Sequence, residues 1–291
     1  MQTLAEAPLD TCAIDALIAR ANTNGALQSI ETEQVFIDDG GVRFLVRWLS
    51  SMTSKDAARV AAAGRRGPGY NPFLPPDPEL LLGTLGPTHC VLLNKYPVIS
   101  RHLLLVTRSF EDQSAPLSAA DFDALANVIN ALGGMGFYNG GAEAGASQPH
   151  KHLQWIPDDA EGPNLARFHP ELARYEAAFS LTRHPAMPWR HAFVRVGSGT
   201  EILEGDTLRT AFALACKALD LSPLDDPMPP YNLLADRQWL LLVPRRCERH
   251  REISVNSLGF GGSLFVRRPE QIDIVREIGP LRLLTEVAQP A

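Results

Sequence analysis

The chain has 291 residues, of which 45% are apolar and 21% charged, and this balance is typical of a globular rather than a disordered protein. Its formal net charge of −6 argues against general nucleic-acid binding, which normally needs a basic face. The length allows one large domain or two of ordinary size.

Four cysteines are isolated from one another, which predicts free thiols in a reducing compartment rather than a disulfide framework. The N-terminal region carries acidic residues and lacks a sustained apolar run, so we expect no signal peptide. The chain also has no apolar run long enough for a transmembrane helix. We therefore expect a cytoplasmic protein with no membrane partner.

The first half of the chain alternates helical and extended patterns. Residues 9–26 predict a helix, residues 34–49 predict a β-hairpin, and residues 64–78 form a turn-rich loop. Two apolar strands follow, at 89–94 and 102–107. A helix then begins with a capping box of Ser118 and Asp121 and ends at Gly133 and Gly134. A strand beginning near Phe137, a glycine-rich loop at 139–148 and a strand that stops at Pro157 complete this half. The two apolar strands indicate a central sheet covered on both faces.

The second half mixes the same two kinds of element. Its predicted elements are a loop at 163–189, a strand at 192–196, a helix at 207–219, a linker at 222–230, strands at 239–243 and 264–268, and a closing helix at 270–278. The whole pattern predicts an α+β fold.

A polar alternation follows the glycine-rich loop, in the sequence His150, Lys151, His152, Leu153 and Gln154. Because side chains i, i+2 and i+4 share one face of a strand, the two histidines and the glutamine are expected to line up. Three interpretations are open at this point: a metal site, a catalytic site and a solvated strand face. A metal site needs further ligands, and no other residue is paired with these histidines by its spacing.

The neighbouring loop favours catalysis on a phosphate. A neutral imidazole attacks phosphorus, and the product would be a nucleotidyl-histidine intermediate. We expect His150 and Gln154 to stabilise charge on the phosphoryl oxygens. The loop preceding them adds backbone amides and the Ser147 hydroxyl, which suit an anion-binding nest.

The residues from Asn139 to Gln154 resemble the signature of the ATP adenylyltransferases, also called diadenosine tetraphosphate phosphorylases. This family is the transferase branch of the histidine-triad superfamily. Similar blocks occur at residues 92–97 (LLNKYP), 101–107 (RHLLLVT), 239–245 (WLLLVPR) and 253–260 (ISVNSLGF).

The resemblance implies a role for each matching residue. His152 would be the nucleophile, with His150 and Gln154 as its catalytic neighbours, and Gln154 stands where hydrolases of the superfamily carry a third histidine. The implied substrate-binding residues are Lys55, Asn94, Lys95, Asn139, Gly145, Ala146, Ser147, Gln148, Gln154, Asn256 and Gly259.

The resemblance also implies a histidine-triad-like antiparallel sheet with packed helices. Residues 1–165 would form the catalytic region, and residues 166–291 would complete the fold and the nucleotide site. The expected reaction is reversible phosphorolysis of diadenosine tetraphosphate with phosphate to ATP and ADP. We expect a monomer with no tightly bound cofactor or protein-bound metal, in which Mg²⁺ would accompany the nucleotide. A hydrolase and a non-catalytic nucleotide sensor are the alternatives.

Three other polar residues have open interpretations. Arg245 begins a basic run that is either a solvated surface or a partner for the tetraphosphate. Lys151 is expected to face solvent or to form a salt bridge. His102, at the start of an apolar strand, is compatible with a structural histidine.

Overall fold

The structure is a computed structural model that describes residues 5–49, 70–175 and 177–291. Its helices are α1 (Thr11–Thr23), α2 (Ala119–Leu132), α3 (His169–Leu172), α4 (Gly205–Ala218), α5 (Ser257–Phe260), α6 (Glu270–Ile278) and α7 (Pro280–Val287). Its strands are β1 (Thr32–Asp39), β2 (Val42–Leu49), β3 (Leu81–Leu85), β4 (His89–Leu93), β5 (Leu103–Thr107), β6 (Met135–Gly140), β7 (His152–Ile156), β8 (Leu181–Thr182), β9 (Ala192–Arg195), β10 (Tyr231–Ala235), β11 (Trp239–Pro244), β12 (Arg249–His250), β13 (Ile253–Ser254) and β14 (Ser263–Val266).

A nine-stranded antiparallel sheet organises the chain, in the order β3-β4-β5-β7-β6-β10-β11-β9-β8. The strand β7 therefore lies between β5 and β6. Strands of the N-terminal and C-terminal halves join where β6 pairs with β10, so the predicted boundary at residue 165 is no break in the sheet.

A smaller sheet of three strands stands beside it. The predicted hairpin forms β1 and β2, and β14 adds to β2 in the parallel direction, with Phe265 opposite Arg47. A strand near the C-terminus thus completes a sheet begun near the N-terminus.

Both faces of the nine-stranded sheet are covered by apolar side chains, as the sequence predicts. Leu240 and Leu242 belong to one buried cluster, whereas Leu241 and Val243 of the same strand belong to the other. On the first face α2 packs against α4. The rings of Phe122 and Phe212 lie 5.4 Å apart there.

The helices begin and end for local reasons. Ser118 and Asp121 form the predicted capping box of α2, and Gly133, at a positive φ of 69°, ends that helix. The predicted helix at 9–26 is shorter and ends at Thr23; it begins at Thr11 because the side chain of Asp10 caps it by accepting a hydrogen bond of 2.8 Å from the Ala13 amide.

Some elements escape sequence analysis. The strand β3 is five residues long and is interrupted at Gly83 by a shift in register, which hides its alternation. The strand β10 follows the proline-rich linker directly, and α7 lies beyond the predicted closing helix. The predicted loop at 163–189 contains α3 and β8. Within the described ranges, no helix is long and apolar enough to cross a membrane.

Lys151 is buried, with 1% of its side chain exposed, so the solvent-facing interpretation is wrong and the salt-bridge interpretation is confirmed. Its Nζ donates to Glu111 Oε2 at 2.6 Å and to the Pro116 carbonyl at 2.9 Å, and it lies 3.5 Å from Asp121 Oδ2. Burial acts to raise the pKa of Asp121, but His89, Lys151 and the Ser118 amide together hold it below its ordinary value.

Replacing Lys151 should therefore destabilise the fold. In Lys151→Met the buried Asp121 carboxylate loses a cation, and we expect the free energy of unfolding to fall by about 3 kcal/mol. The exposed Lys217→Met is the matched control and should change it by less than about 0.5 kcal/mol. Denaturant unfolding measures both variants, and equal stabilities would contradict this account.

Candidate active site

A cavity of about 400 Å³ lies between the two sheets and collects most of the predicted site residues. The predicted residues that line it are Asn94, Lys95, Asn139, Gly145, Ser147, Gln148, His152, Gln154 and Asn256. Three predicted residues are absent from its wall. His150 and Ala146 do not line it, and Gly259 lines a second cavity of about 270 Å³ that shares Gly145 and Asn256 with the first. Lys55 lies outside the described residues.

His152 is the first residue of β7, at a place where β6 and β7 separate. Their pairing stops at Phe137 and Gln154, and the Gln113 side chain fills the gap. Its Oε1 accepts from the His152 amide at 2.8 Å, and its Nε2 donates to the Asn139 carbonyl at 2.9 Å. Gln113 is almost fully buried, so this clamp fixes the backbone of His152.

The ring of His152 has a defined tautomer. Its Nδ1 lies 2.8 Å from the His150 carbonyl oxygen, which only accepts hydrogen bonds, so Nδ1 carries the proton. Burial lowers the pKa of His152 to about 4, and the hydrogen bond to the His150 carbonyl offsets only part of that effect. The imidazole is therefore neutral near pH 7, with the lone pair on Nε2.

The ring of His150 does not reach the cavity. Its Nε2 donates to the Thr107 carbonyl at 2.8 Å, and its Nδ1 accepts from Asn71 Nδ2 at 2.8 Å. Both ring nitrogens are thus hydrogen-bonded outside the cavity, so the prediction that this side chain stabilises a phosphoryl oxygen is not supported by its position. Because β7 begins only at His152, the strand alternation does not extend back to His150. What His150 offers His152 is its backbone carbonyl.

The glycine-rich loop contacts the C-terminal half closely. Gly145 has a φ of +91°, and a Cβ there would lie 2.7 Å from the Val255 carbonyl oxygen and 2.9 Å from Asn256 Cα. Only glycine fits both the conformation and the contact. The approach brings Ser147 and Asn256 to the same cavity.

Asn139 links three elements while it lines the cavity. Its Oδ1 accepts from the Ser257 amide at 2.8 Å, from the Ser257 hydroxyl at 2.7 Å and from Asn232 Nδ2 at 2.9 Å. These bonds join β6, β10 and α5 across the two halves of the chain.

Arg245 stands behind this network, with 1% of its surface exposed. Its guanidinium donates to the side chain of Asn232 and to backbone carbonyls, including those of Ala144 at 3.2 Å and Val255 at 3.0 Å. Neither earlier interpretation of Arg245 holds, because it is neither solvated nor on the cavity wall. It holds the glycine-rich loop against residues 255 and 256.

Arg47 of β2 also lines the cavity, although it was not predicted from the sequence. It belongs to the three-stranded sheet, whereas Gln154 belongs to the nine-stranded sheet. Its side chain is 13% exposed, and burial lowers its pKa. Its contacts with described residues are long, at 3.4 Å to Gln34 Oε1 and 3.9 Å to Asp159 Oδ2. Lys95 supplies a second cation and lies 3.6 Å from Asp77 Oδ2. Nothing local in the sequence distinguishes Arg47 from other strand arginines.

The described part of the chain contains no group of three or more histidine, cysteine, aspartate or glutamate residues arranged to hold a metal ion. The ring of His89 bonds to Asp121, and the ring of His102 bonds to Gln154. All four cysteines are free.

A neutral histidine at the start of a central antiparallel strand, beside a cavity bordered by a glycine-rich loop, is the arrangement expected of a histidine-triad-like fold. The chain belongs to the Ap4A phosphorylase family. Residues 4–166 match the Ap4A phosphorylase N-terminal domain, and residues 185–290 match the ATP adenylyltransferase C-terminal domain.

Two proteins of Saccharomyces cerevisiae are similar over most of their length. Diadenosine 5',5'''-P1,P4-tetraphosphate phosphorylase 2 is 26% identical over 289 residues, covering 88% of this chain and 87% of that protein. Protein APA1 is 25% identical over 282 residues, covering 87% of this chain and 85% of that protein. The crystal structure of yeast Ap4A phosphorylase Apa2 in complex with Ap4A has the same fold, with a TM-score of 0.79, 22% identity and 99% coverage of both chains.

The contact at Gly145 gives a stability test with an internal control. Gly25 also has a positive φ, of 77°, but a Cβ there would meet nothing within 4 Å. We expect Gly25→Ala to lower the free energy of unfolding by about 1 kcal/mol, from backbone strain alone. Gly145→Ala should cost about 3 kcal/mol, because it adds the clash with Val255 and Asn256. Equal costs in denaturant unfolding would show that the loop does not press on this segment.

Proposed function

We propose that the protein cleaves diadenosine tetraphosphate with inorganic phosphate, reversibly, to ATP and ADP, through a covalent adenylyl-His152. The observation that carries this proposal is the hydrogen bond from His152 Nδ1 to the His150 carbonyl, at the wall of the cavity. It leaves the Nε2 lone pair available for attack on phosphorus. Membership of the family and the crystallisation of a yeast relative with Ap4A support this substrate.

In the first step, His152 Nε2 attacks the α-phosphorus of one adenosine. The nitrogen–phosphorus bond forms as the bond from phosphorus to the bridging oxygen breaks, and ATP leaves with that electron pair. The substituted ring is cationic, and its Nδ1–H remains bonded to the His150 carbonyl, which stabilises the positive charge. No proton has to move in this step.

In the second step, an oxygen of inorganic phosphate attacks the same phosphorus. The nitrogen–phosphorus bond breaks, the imidazole recovers its lone pair, and ADP is released. Gln154 has an amide that donates a hydrogen bond to a phosphoryl oxygen but cannot act as an acid. We propose that it stabilises the charge on that oxygen in both steps.

The cavity has the cations and donors that a polyphosphate needs. We propose that Arg47 and Lys95 balance its charge, together with Lys55 on the strength of the resemblance. Ser147, Gln148, Asn139 and Asn256 add neutral polar groups on the same wall. A strongly anionic ligand therefore suits this cavity even though the whole chain is acidic.

We also propose that Mg²⁺ enters with the nucleotide, where it would neutralise charge on the phosphates, and that the protein itself holds no metal or tightly bound cofactor.

Both halves of one chain line the cavity, which supports action as a monomer. Four free cysteines support a cytoplasmic location.

Product analysis separates this proposal from its rivals. With diadenosine tetraphosphate and phosphate, we expect equal amounts of ATP and ADP. A hydrolase would instead form AMP and ATP without phosphate, and a sensor would bind the dinucleotide without turnover. Either outcome would overturn phosphorolysis. His152→Ala is expected to abolish both products, because it removes the nucleophile.

The pKa of His152 predicts an unusual acid limb. With that pKa lowered to about 4 by burial, instead of the ordinary 6.5, the nucleophile stays neutral in weak acid. Because kcat/KM reports the free enzyme, we expect kcat/KM for diadenosine tetraphosphate to stay level from about pH 8 to about pH 5.5 and to fall only below about pH 5. A loss of half the activity near pH 6.5 would mean that His152 titrates as an exposed histidine.

A further inference from the structure

Gln154 has a donor and an acceptor end, and only the donor end favours a phosphoryl oxygen. The two ends of an amide are nearly equal in shape, so its neighbours decide which one faces the cavity. Gln154 lies opposite Leu104 in the pairing of β7 with β5, which makes His102 its diagonal neighbour on the same face. His102 Nε2 lies 2.9 Å from Gln154 Oε1.

One backbone amide fixes this arrangement. The Tyr96 amide donates to Asn94 Oδ1 at 3.1 Å, so the other end of the Asn94 amide, Nδ2, faces His102 Nδ1 at 3.0 Å. Nδ2 only donates, so Nδ1 of His102 must accept, and the proton of the neutral ring lies on Nε2. That proton is donated to Gln154 Oε1.

The consequence is that the NH₂ group of Gln154 is directed away from His102. Among the described residues, none accepts a hydrogen bond from that group, and Gln154 lines the cavity. Burial lowers the pKa of His102 to about 4, with the Gln154 bond acting in the opposite direction and His152 lowering it further. The ring is therefore neutral near pH 7, and its hydrogen bonds to Asn94 and Gln154 select the tautomer with the proton on Nε2.

We propose that Asn94 and His102 are positioning residues, which turn the NH₂ end of Gln154 towards the phosphoryl group carried by His152. This inference rests on the proposed function. It changes the part assigned to Asn94, which sequence analysis placed among the groups that bind substrate. It also gives His102 a part beyond that of a structural histidine.

The substitution Asn94→Asp tests the inference, because it reverses the direction of the hydrogen bonds from residue 94 through His102 to Gln154. In Asn94→Asp, one carboxylate oxygen still accepts from the Tyr96 amide, and the other requires a proton on His102 Nδ1. The neutral ring then has its lone pair on Nε2, which attracts the NH₂ end of Gln154 and turns Oε1 towards the phosphate. When His102 takes up a second proton, both nitrogens donate and the original orientation of Gln154 returns.

The other groups around His102 are few. His152 and Gln154 face it from β7, and the ring of Phe137 on β6 lies 5.7 Å from it. Lys95, next to Asn94, is paired with Asp77. The new carboxylate should therefore dominate the titration of His102 and raise its pKa. The activity of Asn94→Asp should be present below that pKa and lost above it.

We expect kcat/KM of Asn94→Asp for diadenosine tetraphosphate to be at least about tenfold below that of the parent at about pH 8, because a bond to a charged oxygen is lost. The deficit should shrink as the pH falls towards about 5.5. Asn94→Leu is the matched control. It also loses the bond to His102 but adds no carboxylate, so its deficit should not change with pH.

The inference is overturned if the two variants share one pH-independent deficit, or if Asn94→Asp matches the parent throughout. ¹⁵N NMR of the histidine rings supplies a second measurement that does not depend on turnover, with His102→Gln used to assign the signal. The parent should show the proton on Nε2 and Asn94→Asp the proton on Nδ1; the opposite result in the parent overturns the inference. If the parent releases no ATP, the proposed function fails, but the NMR measurement still shows whether Asn94 sets the tautomer of His102.

Discussion

The hydrogen bond between His152 Nδ1 and the His150 carbonyl is the contact on which the rest of the site depends. A buried imidazole has two equivalent-looking nitrogens, and this bond makes them different by placing the proton on one and the lone pair on the other. The carbonyl is available because β7 begins at His152, so the backbone of His150 is not committed to the sheet as a regular strand residue. The ring of His150 is hydrogen-bonded to the Thr107 carbonyl and to the Asn71 side chain, and these bonds fix the residue whose carbonyl His152 uses.

The two halves of the chain are assembled around the same point. Asn139, Asn232 and Arg245 form a buried polar network that ties β6 to β10 and holds the glycine-rich loop against residues 255 and 256. Leaving any member of such a network unsatisfied is costly, because its groups are buried away from water. The shape of the cavity wall is therefore set by contacts between residues far apart in the chain.

The features that were predictable from the sequence are set by residues close together in the chain, and those that were not are set by residues far apart. The strand that begins at His152 and the glycine-rich loop beside it were predictable, because both belong to one continuous segment. The direction of the His150 ring was not, since it depends on the residue at which β7 begins and on Asn71, far away in sequence. Arg245 could not be separated from exposed arginines, because its burial follows from the docking of β11 and α7. Arg47 faces the cavity because β14, from near the C-terminus, pairs with its strand.

The central claim is that an adenylyl group is carried on His152. The most direct measurement is to incubate the protein with diadenosine tetraphosphate in the absence of phosphate, denature it in alkali, and locate the modified residue by peptide mass spectrometry. We predict one adenylyl group on His152, released as ADP when phosphate is added before denaturation, and no such group in His152→Ala. An adenylyl group on His150, or release of ATP with no modified residue, would contradict the account.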